Sequence, residues 1–312
     1  MRKVASLAAS LLCVTLIAGV GRIARGQAPA QPQYTREEAD AYNAVYRAYE
    51  AGKPEEVVQA GEAFLAKFPN SVLAPRAKPI LVLAYVQTNR FEKAFDMGRE
   101  VLSADPNNFS ILYVLALAAA TASKGRDTRF DADGLTYAMR ALELASTGNA
   151  PPGFAPQLWE QQKNKILGAL HQAAGLFLYN KTDYEPAIEH LKKSAELDQS
   201  DPVTFYLIGE ALKLGKYAKL RESYDKLTPE EKVAEAGKQL LQQVDEVVDQ
   251  MIEMYARTVA ISEANASFQA LNQEARKILE SFYRYRHNDT TEGMEELIKK
   301  YKPSAQTSAG SP

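Results

Sequence analysis

The chain has 312 residues, with 37 lysines and arginines against 39 aspartates and glutamates, for a formal net charge of −2. Removing residues 1–26 takes away four positive charges (Arg2, Lys3, Arg22, Arg25) and no acid, so the remainder is more acidic still. A body of that charge has no general attraction for phosphate backbones, which excludes nucleic acid as the natural partner. The single cysteine, Cys13, lies in the N-terminal apolar stretch, so the body has no disulfide, thiolate nucleophile or cysteine metal site.

Arg2 and Lys3 precede Val4 to Gly21, an uncharged run rich in Ala, Leu and Val. Positive charge, then an apolar run, then small residues at Gly19-Val20-Gly21 and Ala24-Arg25-Gly26 describe a secretory signal over residues 1–26. The length of the run, with Arg22 and Arg25 behind it, leaves an uncleaved membrane anchor through residues 4–21 as the alternative. Cys13 lacks the small residue before it that lipid attachment requires. Residues 27–34 then form a Pro-rich linker. The protein is expected to be exported, periplasmic or associated with the cell envelope.

From Tyr34 onward no alternating Val/Ile/Thr run suggests a strand. Apolar residues recur at helical spacing in segments broken by Gly, Asn or Pro. They also recur with a longer period. Gly175 and Gly209 are 34 apart, as are Leu178 and Leu212; Gly52 and Asn89 are 37 apart, as are Pro69 and Pro106. His171-x2-Ala174-Gly175-x2-Leu178 is followed by a turn at Thr182-Asp183-Tyr184 and by Ala187-x3-Leu191. Phe205-x2-Ile208-Gly209-x2-Leu212 is followed by Leu214-Gly215-Lys216-Tyr217, read as a second turn. Upstream, Phe64 to Pro69 and Val101 to Pro106 read as two helix endings closed by proline.

This pattern resembles the tetratricopeptide repeat, in which a small residue in helix A and an alanine in helix B let two helices approach and a proline closes the repeat. The resemblance implies an all-α fold: a right-handed α-solenoid of helix hairpins over residues 35–227. Its five repeats would span 35–70, 73–107, 109–147, 156–199 and 202–227. The third carries an insertion, Ser123 to Asp133, and the fourth a first helix stretched back to Gln157.

Thr228-Pro229-Glu230-Glu231 is a helix start: an N-cap, a proline in the first turn and acids at the positive dipole end. Leu240, Val244, Val247, Met251 and Met254 form one apolar stripe; Phe268, Leu271, Ala275, Ile278, Phe282 and Tyr285 form another. Two long antiparallel helices turning near Ser262 to Asn265 are expected, then a last helix from Asp289 with Met294, Leu297, Ile298 and Tyr301 buried. Residues 228–302 would form a helical bundle capping the last repeat, and 303–312 a disordered tail.

Little in the body carries chemistry. The three histidines, His171, His190 and His287, have no second histidine at metal-ligand spacing, and no HExxH, GxSxG or P-loop pattern occurs. Asp127, Asp131, Asp133 and Gly134 lack the remaining ligands of a calcium loop; Asp133 reads as an N-cap. Arg276, Lys277, Arg284 and Arg286 with Phe282, Tyr283 and Tyr285 form a basic-aromatic cluster, read as core aromatics with arginines at a negative helix end. The protein is expected not to be an enzyme and to hold no metal or cofactor.

The resemblance implies instead a concave groove that holds a partner's protein or peptide. Its helix-A positions carry over to Tyr42, Tyr46, Tyr49, Tyr113, Tyr179, Tyr206 and Glu210. Tyrosine supplies flat apolar area with a polar tip and little rotamer entropy to lose, which suits recognition. An exported scaffold of this kind, an outer-membrane or secretion assembly factor, and a carbohydrate- or small-ligand-binding subunit using the aromatic face are the functions the sequence leaves open.

Overall fold

The computed structural model describes residues 34–302. The signal or anchor at 1–26, Cys13, the spacer up to residue 33 and the tail at 303–312 lie outside the described residues. Among the described residues all regular structure is helical. The chain divides into two compact units between Lys163 and Asn164.

The N-terminal unit is a run of antiparallel helix pairs: α1 (Arg36–Glu50) with α2 (Pro54–Lys67), α3 (Ala74–Gln87) with α4 (Phe91–Ala104), and α5 (Phe109–Lys124) with α6 (Asp131–Ala145). Each pair packs on the next, α2 on α3 and α4 on α5, while the first helices α1, α3 and α5 also meet in sequence. That layering explains the composition of α3 and α5. Every residue from Ile80 to Tyr85 is buried, as is nearly all of α5, because both helices have neighbours on several sides.

Local chemistry sets the ends. Thr35 and Glu38 make a reciprocal capping box, Thr35 Oγ1 accepting from the Glu38 amide at 3.2 Å and Glu38 Oε2 from the Thr35 amide at 2.6 Å. One turn geometry recurs between the two helices of each hairpin. Gly52, Asn89 and Arg126 all have left-handed backbone, φ +65°, +57° and +72°. The next amide reaches back to the helix, Lys53 N to Ala48 O, Arg90 N to Tyr85 O and Asp127 N to Ala122 O. The 37-residue spacing of Gly52 and Asn89 is the trace of this turn in the sequence. The third-repeat insertion is shorter than expected, because α5 and α6 extend into it from both sides. Asp133 therefore lies in the first turn of α6 and does not cap it.

The C-terminal unit begins within α7 (Pro156–Asn180), the stretched helix expected from the sequence, which pairs with α8 (Tyr184–Leu197) through the same turn, here with Thr182 at φ +64°. Gly175 makes the close approach. A Cβ there would come within 2.5 Å of Leu191 Cγ and 3.2 Å of the Ala187 carbonyl oxygen. These are the small and large positions of the repeat pattern.

The next segment departs from expectation. Leu214 to Tyr217 is not a turn: α9 (Pro202–Leu212) continues through a π-helical stretch, Lys213–Tyr217, into α10 (Ala218–Asp225), with right-handed helical backbone at the residues flanking both junctions. Gly215 is buried against Tyr184 rather than placed in a left-handed bend. The antiparallel partner of this helix is α12 (Glu235–Ser262), reached through the short, capped α11 (Pro229–Val233).

Helix α12 then packs against α13 (Gln269–Arg286) after a 3-10 turn, Ala266–Phe268. Val244, Val247 and Met251 are buried as the spacing requires, together with Val248, Tyr255 and Val259. In α13 the buried line is Ala275, Leu279 and Tyr283, about one residue round from the expected stripe; Tyr285 is exposed. The last helix, α14 (Met294–Lys300), starts later than expected. Asp289 has φ +62° and belongs to the turn, and Gly293 caps the helix. Met294 and Ile298 are buried.

Candidate partner-binding face

The seven groove positions separate into two groups. Tyr42 is 0 % exposed, its ring set edge-on to Phe64 at 6.2 Å between centroids, and its hydroxyl has no hydrogen-bond partner among the described residues. Burial pushes that phenol up to about 12. Tyr113 is buried beside Phe109, ring stacked on ring at 6.4 Å. Both are core residues, a correction to the sequence reading. The reason is packing that the spacing along one helix does not show: Tyr42 is covered by Phe64 of its partner helix α2, and Tyr113 lies in α5, which is buried along nearly its whole length.

Glu210 is corrected as well. It is 8 % exposed, accepts a hydrogen bond from the Tyr255 hydroxyl at 2.7 Å and is paired with Lys213. The carboxylate is used by the protein itself and is not presented to a partner. Burial, then Glu210, pushes the Tyr255 phenol far up, and the same two causes raise Tyr206 to about 12 and shift Tyr179 upward.

Tyr46, Tyr49, Tyr179 and Tyr206 are only partly buried. In the N-terminal unit Tyr46 and Tyr49 lie side by side on α1, centroids 6.2 Å apart. In the C-terminal unit Tyr206 on α9 meets Tyr255 edge-on at 6.1 Å, and Tyr179, near the end of α7, is close enough to Glu210 to feel its charge. Each unit thus has two partly exposed tyrosines on first helices of its hairpins.

The other clusters singled out by sequence are engaged internally. Arg129 pairs with Asp127 at 2.8 Å and Glu92 at 2.6 Å, and Arg99 pairs with Asp133 at 3.1 Å, so two acids of the inserted loop bind arginines, while Asp131 accepts from the Ser123 hydroxyl at 3.3 Å. Arg286 reaches across from α13 to Asp245 and Asp249, Arg284 holds Glu280, and Arg276 pairs with Glu295. An open cleft of about 540 Å³ between α12, α13 and α14 is lined by groups that include Asp249, Glu253, Tyr283, His287 and Tyr301. Two of its carboxylates are likewise taken, Asp249 by Arg286 and Glu253 by Arg257, whose guanidinium lies over the Tyr301 ring at 4.3 Å; Glu296 lines it as well. No group of three or more metal-ligating side chains occurs among the described residues, and no described helix is long and apolar enough to cross a membrane.

One juxtaposition escaped the sequence reading. His171 on α7 and His190 on α8 face each other with Nδ1 to Nδ1 at 3.0 Å. Burial first, then the other imidazole and Lys193, brings His171 down to about 4; burial and Lys193 lower His190, opposed by Glu189. The signal was present in the repeat register. Gly175 abuts Ala187 and Leu191, and in an antiparallel hairpin four residues back from Gly175 meets three residues on from Ala187.

These features together are those of an all-α protein built from tetratricopeptide-like hairpins. No family model matches the chain, and no curated protein matches it. Solved structures similar to it include a thermophilic TPR protein from Thermus thermophilus, 14% identical over 77% of this chain and 99% of that one, with a TM-score of 0.39. PilW, described as a widely conserved type IV pilus biogenesis factor, is 13% identical over 85% of this chain and 100% of that one, with a TM-score of 0.39. PilF of Pseudomonas aeruginosa is 14% identical over 85% of this chain and 100% of that one, with a TM-score of 0.38.

Proposed function

We propose that the protein is a non-catalytic, exported scaffold that binds a protein or peptide partner through half-open tyrosines on the first helices of its hairpins. The observation that carries this reading is the split among the tyrosines. Tyr46, Tyr49, Tyr179 and Tyr206 keep part of each ring in water, although nearby core positions accept tyrosine fully buried. A phenol ring backed by packed helix is rigid, so an apolar side chain of a partner can cover it at little entropic cost, while the hydroxyl takes a backbone hydrogen bond. Export rests on residues 1–26 of the sequence.

Peptide display against the full chain tests the binding reading. Sequences selected by the wild-type protein should lose capture when Tyr179 and Tyr206, or Tyr46 and Tyr49, are changed together to Ala, with helicity and melting retained. Undiminished capture in both double variants rejects the tyrosine faces. Glu210→Gln is a poor reporter, because Glu210 serves the Tyr255 contact.

A further inference from the structure

We propose that His171 and His190 form a two-imidazole chelate for a first-row divalent metal ion of the zinc and copper(II) kind, bridging the two helices of the α7–α8 hairpin. The geometry carries it. Two nitrogens bound to one ion at about 2.0–2.1 Å, with an angle between right and tetrahedral at the metal, lie about 2.8–3.4 Å apart. The two Nδ1 atoms stand at 3.0 Å. The rings are tilted by 43°, with centroids 5.1 Å apart, so neither ring lies flat on the other and closes off the space between them.

Both ligands sit in mid-helix, on elements held in register by the Gly175–Leu191 approach, so the pair needs no loop rearrangement to assemble. Both are partly exposed, which lets an ion enter and leaves its remaining positions to water. Soft-to-borderline imidazole donors select zinc and copper over magnesium and calcium.

Without an ion, one Nδ1 must donate its hydrogen to the other. For chelation the donating ring moves that proton to its own Nε2, so both Nδ1 lone pairs face the metal with no net loss of protons from the neutral rings. Lys193, exposed and one turn beyond His190, opposes a cation at this place; Glu189, beside His190, offsets it. Next to His171 on α7, Gln172 donates to Asp201 and Thr204 and holds the α7 backbone there toward α9.

The test uses the full chain, freed of metal by a chelator and titrated with zinc chloride. One zinc should bind per chain, raise the melting temperature, and shift the imidazole nitrogen resonances of His171 and His190 but not those of His287. His171→Gln and His190→Gln should each weaken zinc binding at least tenfold. If either variant loses helicity, the resonances of the wild-type histidines decide. Unmoved His171 and His190 signals at micromolar zinc, or wild-type zinc affinity in both folded variants, would overturn the proposal and leave the pair a hydrogen bond only.

Discussion

The two units use glycine for the same purpose in different places. In the N-terminal unit the close approaches are between hairpins: Gly61 on α2 admits Leu81 of α3, and Gly98 on α4 admits Leu115 of α5. In the C-terminal unit the glycine is on the first helix. Gly175 admits Leu191 of its own hairpin, and Gly209 admits the Tyr255 ring of α12. The ion pairs differ in the same sense. Glu55–Arg90 and Glu92–Arg129 repeat one contact a hairpin later, and Glu62–Lys93 and Arg99–Asp133 repeat another with the charges exchanged. The C-terminal unit has the first of these contacts at Glu185–Lys219 and adds a buried polar centre, Glu210 with Tyr255 and Lys213. Repetition in the first unit allows each contact to be modest. The second unit adds one buried carboxylate to its exposed pairs.

That contrast can be broken most forcefully at the tyrosines. Tyr42→Ala should cost on the order of 3–5 kcal/mol, the range for emptying a fully buried aromatic site, read as a lower urea midpoint. Tyr42→Phe removes a hydroxyl that has no partner among the described residues and should leave stability unchanged or slightly raised. A large loss in Tyr42→Phe would show that the hydroxyl is hydrogen-bonded after all.

Next come the glycines. Gly209→Ala forces a Cβ to 2.9 Å from a ring fixed by its hydrogen bond to Glu210, and should cost about 1–3 kcal/mol. Gly98→Ala meets the methyl end of Leu115, which can rotate, and it gains helix propensity, worth about 1 kcal/mol. Thermal melts should therefore rank Gly209→Ala well below Gly98→Ala; the reverse order would refute the difference in rigidity between the two sites.

The turns offer a smaller effect of opposite sign. Thr182 is β-branched and left-handed, a conformation that costs about 1–2 kcal/mol, so Thr182→Gly should stabilise by up to about 1 kcal/mol after the entropic cost of glycine. The matching exchange in the first unit, Gly52→Thr, has open space around it and should destabilise through backbone alone.

Smallest is the ion-pair seam. Lys93 first, then the Tyr85 hydroxyl, hold the Glu62 carboxyl below its ordinary 4.5. A carboxylate depressed in the folded state contributes stability above its unfolded pKa and loses it as pH falls through the folded value. Urea midpoints of wild type and Glu62→Gln should differ by well under about 1 kcal/mol at neutral pH, given the exposure of the pair, and should converge in acid below the glutamate range.

Helical repeats were readable from sequence because a glycine, a turn residue and a closing proline each do one backbone job, and their spacing survives changes around them. Residues 214–217 misled because a glycine in a helix and a glycine in a turn look alike in one dimension. Only the contact with Tyr184 distinguishes them. The groove tyrosines were half legible. Their place on the helices could be read, but whether a ring lies inside or outside depends on side chains of other helices, such as Phe64 beside Tyr42, which spacing within one helix does not encode. The His171–His190 contact was hidden by their separation of 19 positions, which suggests no ligand pair until the hairpin register is applied.

The wide turn at Lys213–Tyr217 has a consequence for how this chain tolerates change in length. A π-helical stretch holds one residue more than an α-helix needs. Deleting one residue there should give an unbroken α-helix of ordinary pitch. It would also swing everything from Ala218 to Asp225 by about 100° around the axis, pointing Arg221 and Tyr224 in a new direction.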